Sequence, residues 1–77
     1  MNATEFVRFV IENLVERPED VRIKEIEGDS ATVLEIEVAK EDTPHVIGRQ
    51  GRVINALRDV VRALSRRQKK KIVIEVL

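Results

Sequence analysis

Two glycines three positions apart, Gly48 and Gly51, enclose Arg49 and Gln50 and are followed at once by Arg52. Glycine at both ends lets the chain reverse tightly and leaves its backbone open to close approach. The turn leads into an amphipathic segment that reads as a helix, where unpaired N–H groups and the helix dipole favour an anion. Arg49 and Arg52 add full positive charge at the same place. Residues of these types at this spacing can cradle a phosphate. They do not form a Walker loop, which needs four residues between its glycines and a Lys-Ser/Thr end, and the G-x-G-x-x-G dinucleotide fingerprint is absent. On its own the Gly-Arg-Gln-Gly segment also suits a tight helix–helix turn that needs glycine only for its geometry.

Other chemistry is sparsely provided. His45 is the sole histidine, cysteine is absent, and no serine or carboxylate forms a recognisable relay with His45. The sequence therefore implies no catalytic residue, no metal site and no cofactor. Phe6 and Phe9 are the only aromatics, too few for a platform on which bases stack. No apolar run approaches the roughly 18 residues of a membrane span, and Met1-Asn2-Ala3-Thr4-Glu5 lacks the basic start of a secretory signal. The expected location is the cytoplasm, with no membrane partner. Hydrophobic residues at 43% and charged residues at 36% of 77 suit one small folded domain, 1–77.

The formal net charge is zero, with 14 bases and 14 acids. That balance conceals a division along the chain. Residues 1–44 hold five bases against twelve acids, and residues 45–71 hold nine bases against Asp59 alone. Such asymmetry suggests an anionic partner for the basic part, although salt bridges between the two halves offer a second account.

The elements that must position the turn follow from periodicity. Phe6, Val10 and Leu14, with Val7 and Ile11 beside them, predict a first helix, capped by Asn2 with Glu5 in capping-box position and ended by Pro18. Val21–Ile26 and Thr32–Ala39 read as strands joined through Gly28-Asp29-Ser30 into a hairpin. Thr43 and Pro44 suit the N-cap and first position of a short helix that runs to Ile47. A third helix begins near Arg52. Its expected buried stripe is Val53, Leu57, Val60 and Leu64, with Ile54 and Val61 alongside. Lys69-Lys70-Lys71 leads into Ile72–Leu77, which is apolar on both faces as an interior strand would be. The order is α-β-β-α-α-β.

A strand, a short helix, an Ile-Gly-Arg-Gln-Gly-Arg turn, a long helix and a terminal strand together resemble the KH domain, and the additional helix and strand at the front resemble its type II, prokaryotic form. The stretch His45-Val46-Ile47-Gly48-Arg49-Gln50-Gly51-Arg52-Val53 and the ending Lys69-Lys70-Lys71-Ile72-Val73-Ile74-Glu75-Val76-Leu77 are similar to those of the small bacterial single-KH-domain RNA-binding proteins of the KhpA type. Arg17-Pro18-Glu19-Asp20-Val21 and Glu41-Asp42 fit as well. Arg49 departs from the lysine often found there, which keeps the charge but changes the geometry of a phosphate contact.

The resemblance implies an α+β fold: a three-stranded mixed sheet packed against three helices, the first two strands antiparallel and the last parallel to the second. It implies a GXXG loop at 48–51 that holds about four nucleotides of single-stranded RNA by their backbone. Carried over, Gly48 and Gly51 permit close approach, Arg49 and Gln50 project at phosphates, and Arg52 stands at the helix entrance. Val46 and Ile47 would meet bases, Ile47 being equally suited to core packing, and Asn55 could reach a base edge or sugar. Arg58, Arg62, Arg66 and Arg67 would supply a long-range positive field. The implied partners are single-stranded RNA and a second KH module, through a homodimer or a heterodimer with a KhpB (Jag) type protein. The implied role is post-transcriptional regulation or RNA chaperoning. A KH-fold interaction module without RNA binding is the alternative, and nothing in the residues separates RNA from single-stranded DNA.

Overall fold

The structure, a computed structural model, describes residues 1–67 and 70–77. Helix α1 covers Ala3–Leu14, β1 Arg22–Glu27, β2 Ala31–Glu37, α2 Thr43–Ile47, α3 Arg52–Ser65 and β3 Lys71–Val76. Short 3-10 turns occupy Pro18–Asp20, Lys40–Asp42 and Arg49–Gly51. The α-β-β-α-α-β order expected from the sequence is the observed one. None of the described helices is long and apolar enough to cross a membrane.

Helix α1 begins with a reciprocal cap. Asn2 Oδ1 accepts from the Glu5 N–H at 2.8 Å, and Glu5 Oε1 accepts from the Asn2 N–H at 3.0 Å, an arrangement worth on the order of 1 kcal/mol. The helix buries Val7 and Ile11 completely. Phe6, Val10 and Leu14, expected to face inward, are only half-buried. Helix α3 is rotated in the same sense. Ile54, Leu57, Val61 and Ser65 are buried, whereas Val60 and Leu64 of the expected stripe are 44% and 55% exposed. Both helices carry a stripe wider than one contact face. A sheet of three strands covers only one edge of each stripe, and the other edges are left beside one another.

The strand order is β1-β2-β3, with helices on one face. Ile23 pairs with Ile36 and Glu25 with Leu34 in the antiparallel hairpin. Leu34 pairs with Ile74 and Ile36 with Val76 in the parallel ladder. Leu34, Ile36 and Ile74 meet Val7, Ile11, Val46, Ile54 and Val61 in the core, each fully buried side chain contributing about 1.5–3 kcal/mol. The expectation of an interior strand at the end of the chain is not met: β3 is an edge strand. Its Ile72, Ile74 and Val76 share a face with Thr32, Leu34 and Ile36, and only Val73 stands on the other face, between Lys71 and Glu75. One outward valine does not make a strand covered on both sides.

Helix α2 starts one residue earlier than expected, with Thr43 first and Pro44 second. Asp42 stands at its cap but turns its carboxylate away from it. Asp42 Oδ1 accepts from the Glu16 N–H and Oδ2 from the Arg17 N–H, both at 3.0 Å, with the residue 1% exposed. That fork fixes the chain after α1 to the start of α2.

Candidate nucleic-acid interface

The loop between α2 and α3 consists almost entirely of left-handed backbone. Gly48 has φ 76° and ψ 171°, Gln50 φ 56° and ψ 27°, and Gly51 φ 77° and ψ 12°. Gly48 also caps α2, donating its N–H to Pro44 O at 2.9 Å, and its own carbonyl accepts from Gly51 N at 3.1 Å. Gln50 is the only non-glycine with positive φ among the described residues. A left-handed non-glycine costs about 1–2 kcal/mol. The strain aims Arg49 and Gln50 outward, where both are exposed, at the amino end of a 14-residue helix. Arg52, its first residue, is exposed as well. The Arg52 N–H donates to Arg49 O, and the helix has no side-chain cap at that end, so the amino end of its dipole faces an oxyanion without a competing side chain.

Further along the same helix a groove of about 440 Å³ lies between α3 and the free edge of β3, lined among others by Arg58, Arg62, Ser65, Arg66, Lys70 and Ile72. Its far wall is backbone. Lys71 N–H donates to Ser30 O at 3.1 Å and Leu77 N–H to Ile36 O at 2.9 Å. The two-residue alternation of a strand therefore turns the N–H and C=O groups of Ile72, Ile74 and Val76 away from β2, into the groove. Arg58 bridges the two walls, donating from Nη2 to Ile74 O at 3.0 Å and from Nη1 to Asn55 Oδ1 at 3.3 Å.

The charge division survives folding. Among the described residues, Lys70–Glu27 at 3.7 Å and the contact of His45 with Asp42 at 4.0 Å are the only pairs joining the basic segment to the acidic half. Arg62 pairs with Asp59 at 3.1 Å within its own helix. No carboxylate lies within 4.0 Å of the guanidinium groups of Arg49, Arg52 or Arg66 among the described residues. The inter-half salt bridging that the sequence also allowed is thus limited, among the described residues, to these two pairs. The loop and groove keep their positive field.

Gly48, Arg49, Gln50, Gly51 and Arg52 lie together as expected, and Asn55 stands one helical turn further, 3.3 Å from the position a Cβ on Gly51 would take. Val46 is wholly buried in the core and is not available to a base, because its place on the short α2 points at the sheet. Ile47 is half-buried, packed on the core and open toward a shallow surface with Lys40, Pro44 and Arg49. Arg58, Arg62 and Arg66, expected to act only at long range, line the groove directly. Their four-residue spacing on one helix was the available signal. Of the lysine run, Lys70 and Lys71 line the groove, and Lys69 lies outside the described residues.

A family model described as KhpA/KhpB, KH domain, matches residues 4–76. The chain is 41% identical over 73 residues to the RNA-binding protein KhpA of Clostridium perfringens, covering 95% of this chain and 97% of that one. It is 40% identical to RNA-binding protein KhpA of Chlamydia pneumoniae, with 95% and 94% covered. With its counterpart in Borreliella burgdorferi it shares 32% over 76 residues, 99% and 93% covered. Among solved structures, a variant of Aquifex aeolicus Era bound to GDP and aluminium fluoride superimposes with a TM-score of 0.63 at 26% identity, over 96% of this chain. The chain spans only 29% of the length of that protein.

Proposed function

The chain belongs to the KhpA/KhpB KH-domain family, and from that membership we propose that it binds single-stranded RNA, held by its backbone at Gly48–Gly51 with the bases turned toward α3 and β3. The observation that carries this reading is the strained, cationic loop at the amino end of the same helix whose arginines line a basic groove against an open strand edge. Phosphates approach where Gly48 and Gly51 have no side chains, Arg49, Gln50 and Arg52 supply donors and charge, and the amino end of α3 adds its N–H groups. Asn55 and the exposed part of Ile47 border the bases. About four nucleotides fit such a grip. The chemistry is binding, with no catalytic step assigned.

One groove of this size gives modest affinity, so a second module raises avidity. We place that pairing, with a second copy or a KhpB-type KH protein, on the apolar rows left uncovered by the sheet: Phe6, Val10, Val53 and Val60, with Leu64 beyond them. They lie on the side of α3 opposite Arg58 and Arg62, so pairing leaves the groove open. The role is that of a cytoplasmic post-transcriptional regulator or RNA chaperone. Crosslinking in cells, followed by sequencing of the bound RNA, tests the reading when run beside a variant carrying Arg49→Asp and Gln50→Asp. Recovery of the same RNA in the same yield with both proteins would overturn it. A single-stranded DNA of matching sequence, bound equally well in vitro, would redirect it from RNA to single strands in general.

A further inference from the structure

Of the backbone groups that β3 turns into the groove, one carbonyl is already occupied. Ile74 O accepts from Arg58 at 3.0 Å, and the same guanidinium is held from its own helix by Asn55 Oδ1 at 3.3 Å. Asn55 in turn stands over Gly51, where a Cβ would come within 3.3 Å of its amide nitrogen, so Asn55 and Arg58 follow the loop in order along α3 toward the strand edge. Arg62 is engaged with Asp59 on the helix. Among the described residues, Arg58 is the one arginine tied across the groove to β3.

This tie changes what the groove displays. A free carbonyl at Ile74 would offer an acceptor to a base. Covered by Arg58, the same position offers donors: each terminal nitrogen keeps a second N–H, and Nε keeps its own. The two anchors also hold the guanidinium in one plane, which lowers the entropy lost when a base pairs with it.

We propose that Arg58 is the specificity-determining residue of this groove and selects guanine over adenine at the nucleotide facing Ile74. Guanine presents two adjacent acceptors, O6 and N7, that match the fork of an arginine. Adenine presents an amino donor beside N7 at the same edge and opposes it. The two purines stack almost equally, so their difference reports the hydrogen-bond pattern. The proposal rests on the reading that RNA occupies this groove.

Fluorescence anisotropy with uridine octamers carrying one central guanosine, adenosine or 7-deazaguanosine tests it, using the wild type, Arg58→Lys and Arg58→Ala, with thermal unfolding of each protein recorded alongside. The wild type is expected to bind the guanosine octamer roughly five- to tenfold more tightly than the adenosine octamer, and 7-deazaguanosine, lacking N7, is expected to lose most of that margin. Arg58→Lys keeps the charge but not the fork, so it binds all three octamers alike with the salt dependence of the wild type. Arg58→Ala also loses the preference. Equal affinity of the wild type for guanosine and adenosine octamers overturns the proposal while leaving RNA binding intact, as does a preference undiminished in Arg58→Lys. Failure of the wild type to bind any octamer overturns the RNA reading itself.

Discussion

Gly48 lies so close under Val53 that a methyl group on Gly48 would overlap the valine side chain and come to 2.8 Å of its backbone nitrogen. The loop can therefore be built at this position only without a Cβ. Its φ and ψ, 76° and 171°, fall in a region that essentially only glycine enters.

Gly48→Ala is expected to lose about 2–4 kcal/mol of stability, from a strained backbone and a steric overlap together. Urea unfolding measures it. Gln50→Gly is the contrasting case. Relief of left-handed strain and the greater freedom of glycine when unfolded are each about 1 kcal/mol and opposed, so the midpoint stays within about 0.5 kcal/mol of the wild type.

Replacing Arg49 and Gln50 together by aspartate leaves both glycines and the fold in place, because both side chains are exposed and aspartate tolerates a left-handed backbone. RNA binding is expected to disappear at near-physiological salt while the far-ultraviolet circular dichroism and the melting temperature stay close to those of the wild type. Unchanged RNA affinity would remove the loop from the binding site.

If two to four phosphates are neutralised, log affinity plotted against log salt concentration falls with a slope of roughly −1.4 to −2.8 for a single strand. Arg49→Ala or Arg52→Ala each flattens that slope by about 0.7 if its guanidinium meets one phosphate. A slope indifferent to either change would move the contacts elsewhere on the basic face.

Asp42→Ala is expected to cost about 1–3 kcal/mol, since it takes the charged acceptor, itself buried, from the part-buried N–H groups of Glu16 and Arg17. In a chain of 77 residues, each kcal/mol lowers the melting temperature by about 4–8 °C. Asp42→Asn, which keeps one oxygen, falls between the two.

Leu64→Glu places a charge in the uncovered apolar row at a residue 55% exposed. Folding is expected to change by no more than about 0.5 kcal/mol, while sedimentation velocity shifts any dimer to monomer. A dimer that survives the substitution uses another surface.

Much of this was legible in order and spacing. Asn2 with Glu5, Gly28-Asp29-Ser30 and Gly48 with Gly51 are signals whose cause and effect lie within a few residues, and each appears where the sequence puts it. The expected family stands with them. What escaped depended on distance. The partners of Asp42 are 25 and 26 positions away, so nothing nearby reveals that its carboxylate serves α1 and not its own helix. The choice between two adjacent apolar rows on α3 was settled by the width of a three-stranded sheet, which no periodicity reports. Val46 went inward for the same reason. Arg58, Arg62 and Arg66 were visible as charges, but their place in a groove depends on β3 lying at the edge.

The parallel ladder sets the order in which the groove can come into being. Glu25 and Leu34 meet across nine positions, a closure that a hairpin makes early, whereas Leu34 and Ile74 must find each other across forty. One wall of the binding groove is therefore the last piece to arrive. A chain still emerging from the ribosome has its loop but no groove until β3 has been made, and RNA captured afterwards adds its binding energy to the slowest joint in the fold.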